Sequence, residues 1–80
     1  MGLWDNCVAA DDVYAALGRL GFVAHPPSDT ESTIAFRSGD VFAFVKRPNV
    51  FGKIALIYVE SVFDEAGLEQ PDWILVSCES

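Results

Sequence analysis

Histidine, positive charge and long apolar runs are all scarce in this sequence, and each scarcity excludes a class of chemistry. A single histidine, His25, in 80 residues leaves no pair of imidazoles for a metal centre, and imidazole is the side chain whose unperturbed charge changes closest to neutral pH. The two cysteines, Cys7 and Cys78, lie near opposite ends with no CxxC pair, so no zinc site is expected. Reduced thiols in a cytosolic protein are the expectation, with a bridge tying the termini together as the alternative. Five Lys and Arg stand against twelve Asp and Glu, a net charge of −7, which repels a phosphate backbone over most of the surface. The longest uninterrupted apolar run, Ile54 to Val59, falls well short of the roughly 20 residues that span a membrane. The opening MGLWDNCVAA has neither the basic start nor the apolar core of a signal peptide. Gly2 is followed by Asn6 where a myristoylation signal carries Ser or Thr. The expectation is a cytoplasmic protein with no membrane association and no cofactor.

Apolar and aromatic side chains, by contrast, are plentiful. Hydrophobic residues make up 51% of the chain, including six Phe, two Trp and two Tyr. A chain of this length buries only about 60% of its unfolded surface and supports one core, so residues 1–80 read as a single domain. With so many aromatics some are expected at the surface, where a contiguous apolar patch marks a partner site or a homodimer contact.

The order of elements follows from local pattern. Val13, Ala16, Leu17 and Leu20 form the stripe of one buried helix face, begun at Asp11 or Asp12 and stopped at Gly21. Phe22 to Ala24 opens a strand, and His25-Pro26-Pro27 ends it because neither proline donates to a ladder. Ser28 to Ser32 is an exposed loop. Thr33 to Arg37 and Val41 to Lys46 are strand-like runs joined by Ser38-Gly39-Asp40, a hairpin signal. The second run is apolar on both faces and is expected in the middle of the sheet. Leu56, Val59, Val62, Phe63 and Ala66 follow helical spacing up to Gly67, although Ile54 to Val59 can equally begin as a strand. Pro71 to Val76 forms a last strand or an apolar tail over the core. The fold class expected is α+β: helix, strand, strand, strand, helix, with a three-stranded antiparallel sheet and both helices on one face.

That order, with Leu17-Gly18-Arg19-Leu20-Gly21-Phe22-Val23, the hairpin into Val41 to Lys46, and Gly52-Lys53 running on to Val62-Phe63-Asp64-Glu65-Ala66-Gly67-Leu68, resembles the HicA/YcfA-like family of small double-stranded-RNA-binding-like domains over roughly residues 12–74. The resemblance implies messenger-RNA cleavage in the family's toxin members, which are similar in placing a histidine at the start of the second strand. Here that stretch reads Asp29-Thr30-Glu31-Ser32-Thr33-Ile34 and carries none. The resemblance therefore implies a copy without the nuclease.

No catalytic set emerges otherwise. His25 with Cys7, Cys78 or Ser28 lacks a third orienting group, and reads better as a half-exposed strand-end residue. The carboxylate pairs Asp11/Asp12, Glu60/Asp64 and Asp64/Glu65 suit helix caps or solvated faces, and Gly18 and Gly21 bracket a helix end in place of a phosphate cradle. Two binding surfaces remain. An acidic face of Glu60, Asp64, Glu65 and Glu69, continued by Asp72 and Trp73, suits a basic protein partner, as in small inhibitors of toxin or phage-defence proteins. A basic strip of Arg37, Lys46, Arg47 and Lys53, interleaved with Phe36, Phe44 and Phe51, suits single-stranded RNA. The expected function is a non-enzymatic protein-binding module, an inhibitor or antitoxin-like partner, with a divergent HicA-like RNA binder as the alternative.

Overall fold

The computed structural model describes residues 6–25 and 32–79, in the order β1 (Cys7–Ala9), α1 (Ala10–Arg19), β2 (Val23–Ala24), β3 (Thr33–Ser38), β4 (Val41–Lys46), β5 (Lys53–Ala55) and α2 (Leu56–Glu65). Met1 to Asp5, Pro26-Pro27 and the Ser28 to Glu31 part of the expected loop lie outside the described residues. The chain is α+β, with a three-stranded antiparallel sheet ordered β2-β3-β4 and a separate two-stranded ladder, β1-β5.

The β1–β5 ladder was not foreseen. Cys7–Ala9, ahead of the helix expected from Asp11 or Asp12, pair antiparallel with the start of the run expected as strand or helix, in the register Cys7–Ala55, Val8–Ile54 and Ala9–Lys53. Both alternatives for Ile54 to Val59 are realised in sequence, since three strand residues lead directly into α2. Each strand launches a helix with no intervening loop. The first N–H of α1, at Ala10, donates to the Gly52 carbonyl at 2.9 Å, and the first N–H of α2, at Leu56, donates to the Asn6 carbonyl at 2.9 Å. These exchanged bonds satisfy one orphan donor at each helix start, and neither helix has a side-chain cap. Asp11 and Asp12 therefore sit inside the first turn of α1 and act on its dipole, while Ala9 holds the cap position.

Both helices end in the same way. Gly21 follows α1 with φ of 90° and Gly67 follows α2 with φ of 72°, conformations that a Cβ disfavours. The N–H of Phe22 donates to Leu17 O and that of Gly21 to Gly18 O; Leu68 to Phe63 O and Gly67 to Asp64 O repeat the pair. This is the Schellman pattern, whose hydrophobic residue past the glycine folds back onto the last turn. Phe22 is buried and Leu68 packs against the core.

The β3–β4 hairpin forms where the sequence marks it, with Ser38 opposite Val41 around Gly39-Asp40. Gly39 takes φ of 59° while no other residue of the turn has positive φ, which suits glycine first in a two-residue turn. Val45, Ala43 and Phe36 face inward beneath the helices, and the Tyr14 ring of α1 stacks on Phe36 at 5.5 Å. The core continues through Val8, Val13, Leu17, Ile54, Val59 and Phe63.

Two expectations are corrected. β4 is an edge strand, not the middle one, because β5 pairs with β1 and, among the described residues, no further strand reaches it; β3 is central. The thiols are not free: Cys7 and Cys78 form a disulfide across 71 residues of sequence. The C-terminal segment returns to β1 through one antiparallel bridge, Cys7 to Val76, with N···O distances of 3.0 and 2.8 Å. That return brings the two Cα atoms to 5.1 Å, within the range a disulfide spans. The expected last strand is thus reduced to that single bridge, within an apolar tail.

Closing a loop of this length removes enough unfolded-state entropy to be worth about 4 kcal/mol. Reduction by a dithiol should therefore lower the melting temperature by roughly 15–30 °C. Thermal unfolding followed by circular dichroism checks this, and a change of under about 5 °C would show that the tail stays docked without the bridge.

Candidate functional site

The pleat of β4 sends Val41, Ala43 and Val45 one way and Phe42, Phe44 and Lys46 the other. Helices cover Ala43 and Val45 of the first set, while Val41, next to the turn, is 43% exposed. Phe42 is 46% and Phe44 58% exposed, against 2% for Ala43 and 0% for Val45. Register places Arg37 opposite Phe42, Ala35 opposite Phe44 and Thr33 opposite Lys46, with Val23 of β2 next to Arg37. The outer sheet face is therefore built from Val23, Arg37, Phe42, Phe44 and Lys46. His25, whose N–H extends the β2–β3 ladder to Ala35 O at 2.9 Å, lies at its margin. The rings form a row, with His25 on Phe42 at 6.4 Å and Phe42 on Phe44 at 6.1 Å. The Arg37 guanidinium sits 5.6 Å from the Phe42 centroid, held by a 2.7 Å bond from its Nε to Gly39 O.

The basic strip is divided by the fold. Arg37 and Lys46 share the outer sheet face, whereas Arg47 and Lys53 line a groove beside the disulfide with Phe51 and Tyr58. Lys46 joins the two regions, since its Nζ lies 4.1 Å over the Tyr58 ring. Phe36, expected among the interleaved aromatics, is in the core. Phe42 takes the place on the surface that sequence reasoning gave to Phe36. Alternation along β4 was the available signal, but it does not say which side the helices cover.

The acidic face is also divided. Glu60 and Asp64 lie one turn apart on α2, where Gln70 Nε2 donates to Glu60 O at 2.7 Å and to Asp64 Oδ1 at 3.1 Å. Glu65 lines a different groove, of about 270 Å³, with Ser32, Thr33, Phe44, Lys46 and Tyr58. Glu69 and Asp72 border separate grooves that share Arg19. Trp73 is half-buried, packed edge-on against Phe63 at 5.1 Å, and its Nε1 donates to Gln70 Oε1 at 3.3 Å. It anchors the tail to α2.

Chemistry at the remaining candidates is constrained by these contacts. With both sulfurs in the bridge, no cysteine thiol is left to pair with His25 as a nucleophile. Ser32 and Thr33, at the position where the resembled family carries its histidine, sit in the groove with Glu65; Asp29 and Glu31 lie outside the described residues. Among the described residues no group of three His, Cys, Asp or Glu is arranged to hold a metal ion, and no helix is long and apolar enough to cross a membrane. Burial, aided by Asp11 and opposed by Arg47, raises the Tyr14 phenol above its ordinary value. No family model, curated protein or solved structure matches the chain.

Exposure separates the phenylalanines into two kinds. Phe36→Ala should destabilise the fold by about 3–5 kcal/mol through the cavity it opens, while Phe42→Ser and Phe44→Ser should each stay within about 1 kcal/mol of the parent. Chemical denaturation measures both; a loss of about 2 kcal/mol or more at Phe42 or Phe44 would mean that their face is covered. Tyr14 adds a pH dependence. Its proton is held more tightly in the folded state, so its contribution is full below pH 10 and is lost as pH rises through the folded value. Tyr14→Phe should remove that part of the alkaline decline in stability.

Proposed function

We propose that this protein is a non-enzymatic binding module whose docking surface is the outer face of the three-stranded sheet, and that its partner is another protein. The observation that carries the reading is the contiguous exposure of Val23, Phe42 and Phe44 on one side of a sheet whose other side holds the core. Exposed aromatics grouped in this way are characteristic of partner sites, where aromatic and arginine side chains supply most of the affinity. Arg37, Lys46 and His25 flank the apolar strip, in a chain of net charge −7. That local reversal of sign suits a partner surface of apolar residues rimmed by carboxylates. The inhibitor or antitoxin-like role expected from the sequence is the form of this activity in which docking blocks the partner's own site.

A second reading is supported by one observation, the stacked row of His25, Phe42 and Phe44 with Arg37 over Phe42. Single-stranded RNA binds such platforms by stacking its bases on successive rings, and RNA is the ligand class that the HicA-like resemblance implies. The overall net charge of −7 opposes this reading, since it repels a phosphate backbone over most of the surface.

The Cys7–Cys78 bridge supports an oxidising working environment over the cytoplasm expected from sequence, because cytosolic reductants keep most thiols reduced.

The test compares the disulfide-intact protein with Phe42→Ser/Phe44→Ser as immobilised bait, with and without nuclease, followed by reconstitution with the purified partner. A protein ligand that survives nuclease and binds the variant at least about tenfold more weakly is the expected result, the size of a hot-spot loss. Capture abolished by nuclease, or unchanged in the variant, overturns the reading, and tight binding of a purified single-stranded RNA on the same face establishes the second.

A further inference from the structure

β4 leaves one edge of the three-stranded sheet open, and the hydrogen-bond pattern identifies the residues that face it. The N–H of His25 donates to Ala35 O at 2.9 Å and that of Arg47 to Ser32 O at 3.1 Å, so odd-numbered residues of the β3 segment bond towards β2 and even-numbered ones towards β4. In the hairpin register Phe36 therefore exchanges bonds with Ala43, and Ile34 with Val45. The N–H and C=O groups of Phe42, Phe44 and Lys46 then point to the outer edge of β4, where no backbone partner meets them among the described residues. Natural sheets blunt such an edge with a proline, a bulge, a charge in mid-strand or a very short strand. β4 has none of these. It runs over six residues, Val41–Lys46, pairs one-to-one with β3, and carries its single charge, Lys46, at the last position. An apolar edge of this length is a template for another strand.

The strand's own sequence indicates its partner. Val41-Phe42-Ala43-Phe44-Val45 reads the same in both directions and is flanked by Asp40 on one side and Lys46 on the other. A two-fold axis midway between two Ala43 residues, normal to the sheet, lays the strand antiparallel on a second copy with like against like: Phe42 faces Phe44 and Val41 faces Val45. Asp40 of each copy then meets Lys46 of the other, so opposite charges close both ends. Phe42 and Phe44 both turn their backbone groups to the edge, so each such pair exchanges both its hydrogen bonds. Moving the axis to Phe44 keeps the hydrogen bonding but sets Lys46 against Phe42 and Asp40 against Pro48. Only the axis at Ala43 matches backbone, side chains and charge together.

We propose that this chain forms a symmetric dimer with a second copy of itself through the open edge of β4, joining the two three-stranded sheets into one continuous antiparallel sheet. The outer faces of both copies lie on the same side, and Phe42 and Phe44 of one adjoin those of the other, as aromatic pairs that strengthen a cross-strand contact. The dimer does not depend on what else docks on that face, since its backbone bonds run within the sheet. A self-complementary contact of one strand per copy is small, so the dissociation constant is on the order of 10–100 µM.

Sedimentation velocity of the disulfide-intact chain, over about 5 µM to 1 mM, should show a reversible passage from monomer to dimer. Hydrogen exchange at the Phe42 and Phe44 amides should slow severalfold over the same range, as their N–H groups become paired. Phe44→Pro removes an edge-facing N–H that the monomer leaves unpaired, and should weaken association at least about tenfold. Asp40→Lys and Lys46→Asp leave both phenylalanines in place, and each should weaken self-association about threefold by setting like charges opposite one another. An equimolar mixture of these two variants should associate as well as the parent, because one supplies cations at both positions and the other anions. If the proline variant does not fold, the mixing experiment decides alone. A monomer at every concentration, association indifferent to Phe44→Pro, or no recovery on mixing would overturn the proposal, as would a chain that stays monomeric and takes a strand of a different protein on this edge.

Discussion

The antiparallel meeting of Cys7–Ala9 with Lys53–Ala55 is the constraint on which the other parts of this structure depend. Each of these short strands passes directly into a helix, and each helix places its first N–H on a carbonyl of the other strand–helix unit. Pairing the strands therefore fixes where both helices start and draws Val8 and Ile54 into the core together. A two-stranded ladder is marginal by itself. It persists here because burial of its apolar residues and the covalent tie at Cys7 act on the same few positions.

The consequence for the surface is an asymmetry. Both helices lie on one side of the β2-β3-β4 sheet, and their aromatic and aliphatic side chains fill that side, through Tyr14 on Phe36 and Val59, Val62 and Phe63 of α2. No third layer covers the other face among the described residues, so the alternate side chains of β4 stand in solvent as a stacked row. The C-terminal tail does not pack on that face. Instead it is drawn the other way, by Trp73 against Phe63 and by Val76 and Cys78 on β1. Closing the tail over β1 also builds the groove in which Lys46, Arg47 and Lys53 meet Phe51 and Tyr58.

Electrostatics follows the same division. The carboxylates of α2 and the tail are dispersed over several surfaces, that of Asp64 taking a hydrogen bond from Gln70 and others bordering grooves with Arg19 or Lys46. The positive side chains are fewer but are gathered near the sheet face and the disulfide end. Scarcity therefore makes the basic groups more informative than the acidic ones. An acid on the surface of an acidic protein is ordinary, whereas three cations in one groove require the fold to have assembled them.

The helical stripe from Val13, the glycines after both helices, the Gly39-Asp40 turn and the limits of β4 were all legible in the sequence. Each rests on a periodicity or a backbone conformation encoded within a few residues. Strands of three residues, such as β1 and β5, show no alternation long enough to read, and their pairing joins segments nearly fifty positions apart. The partner choice of Cys7 and Cys78 and the edge position of β4 belong to the same class. Of the two candidate surfaces, the sequence named most of the residues but not their grouping: Arg37 and Lys46 went to the sheet face, Arg47 and Lys53 to the groove, and Phe36 to the core. The sequence by itself thus determined the longer strands, the helical stripes and how much charge the chain carries. Only the tertiary structure decided which strands meet, which thiols bond and which aromatic face stays open, because those outcomes depend on contacts between segments that no local pattern encodes.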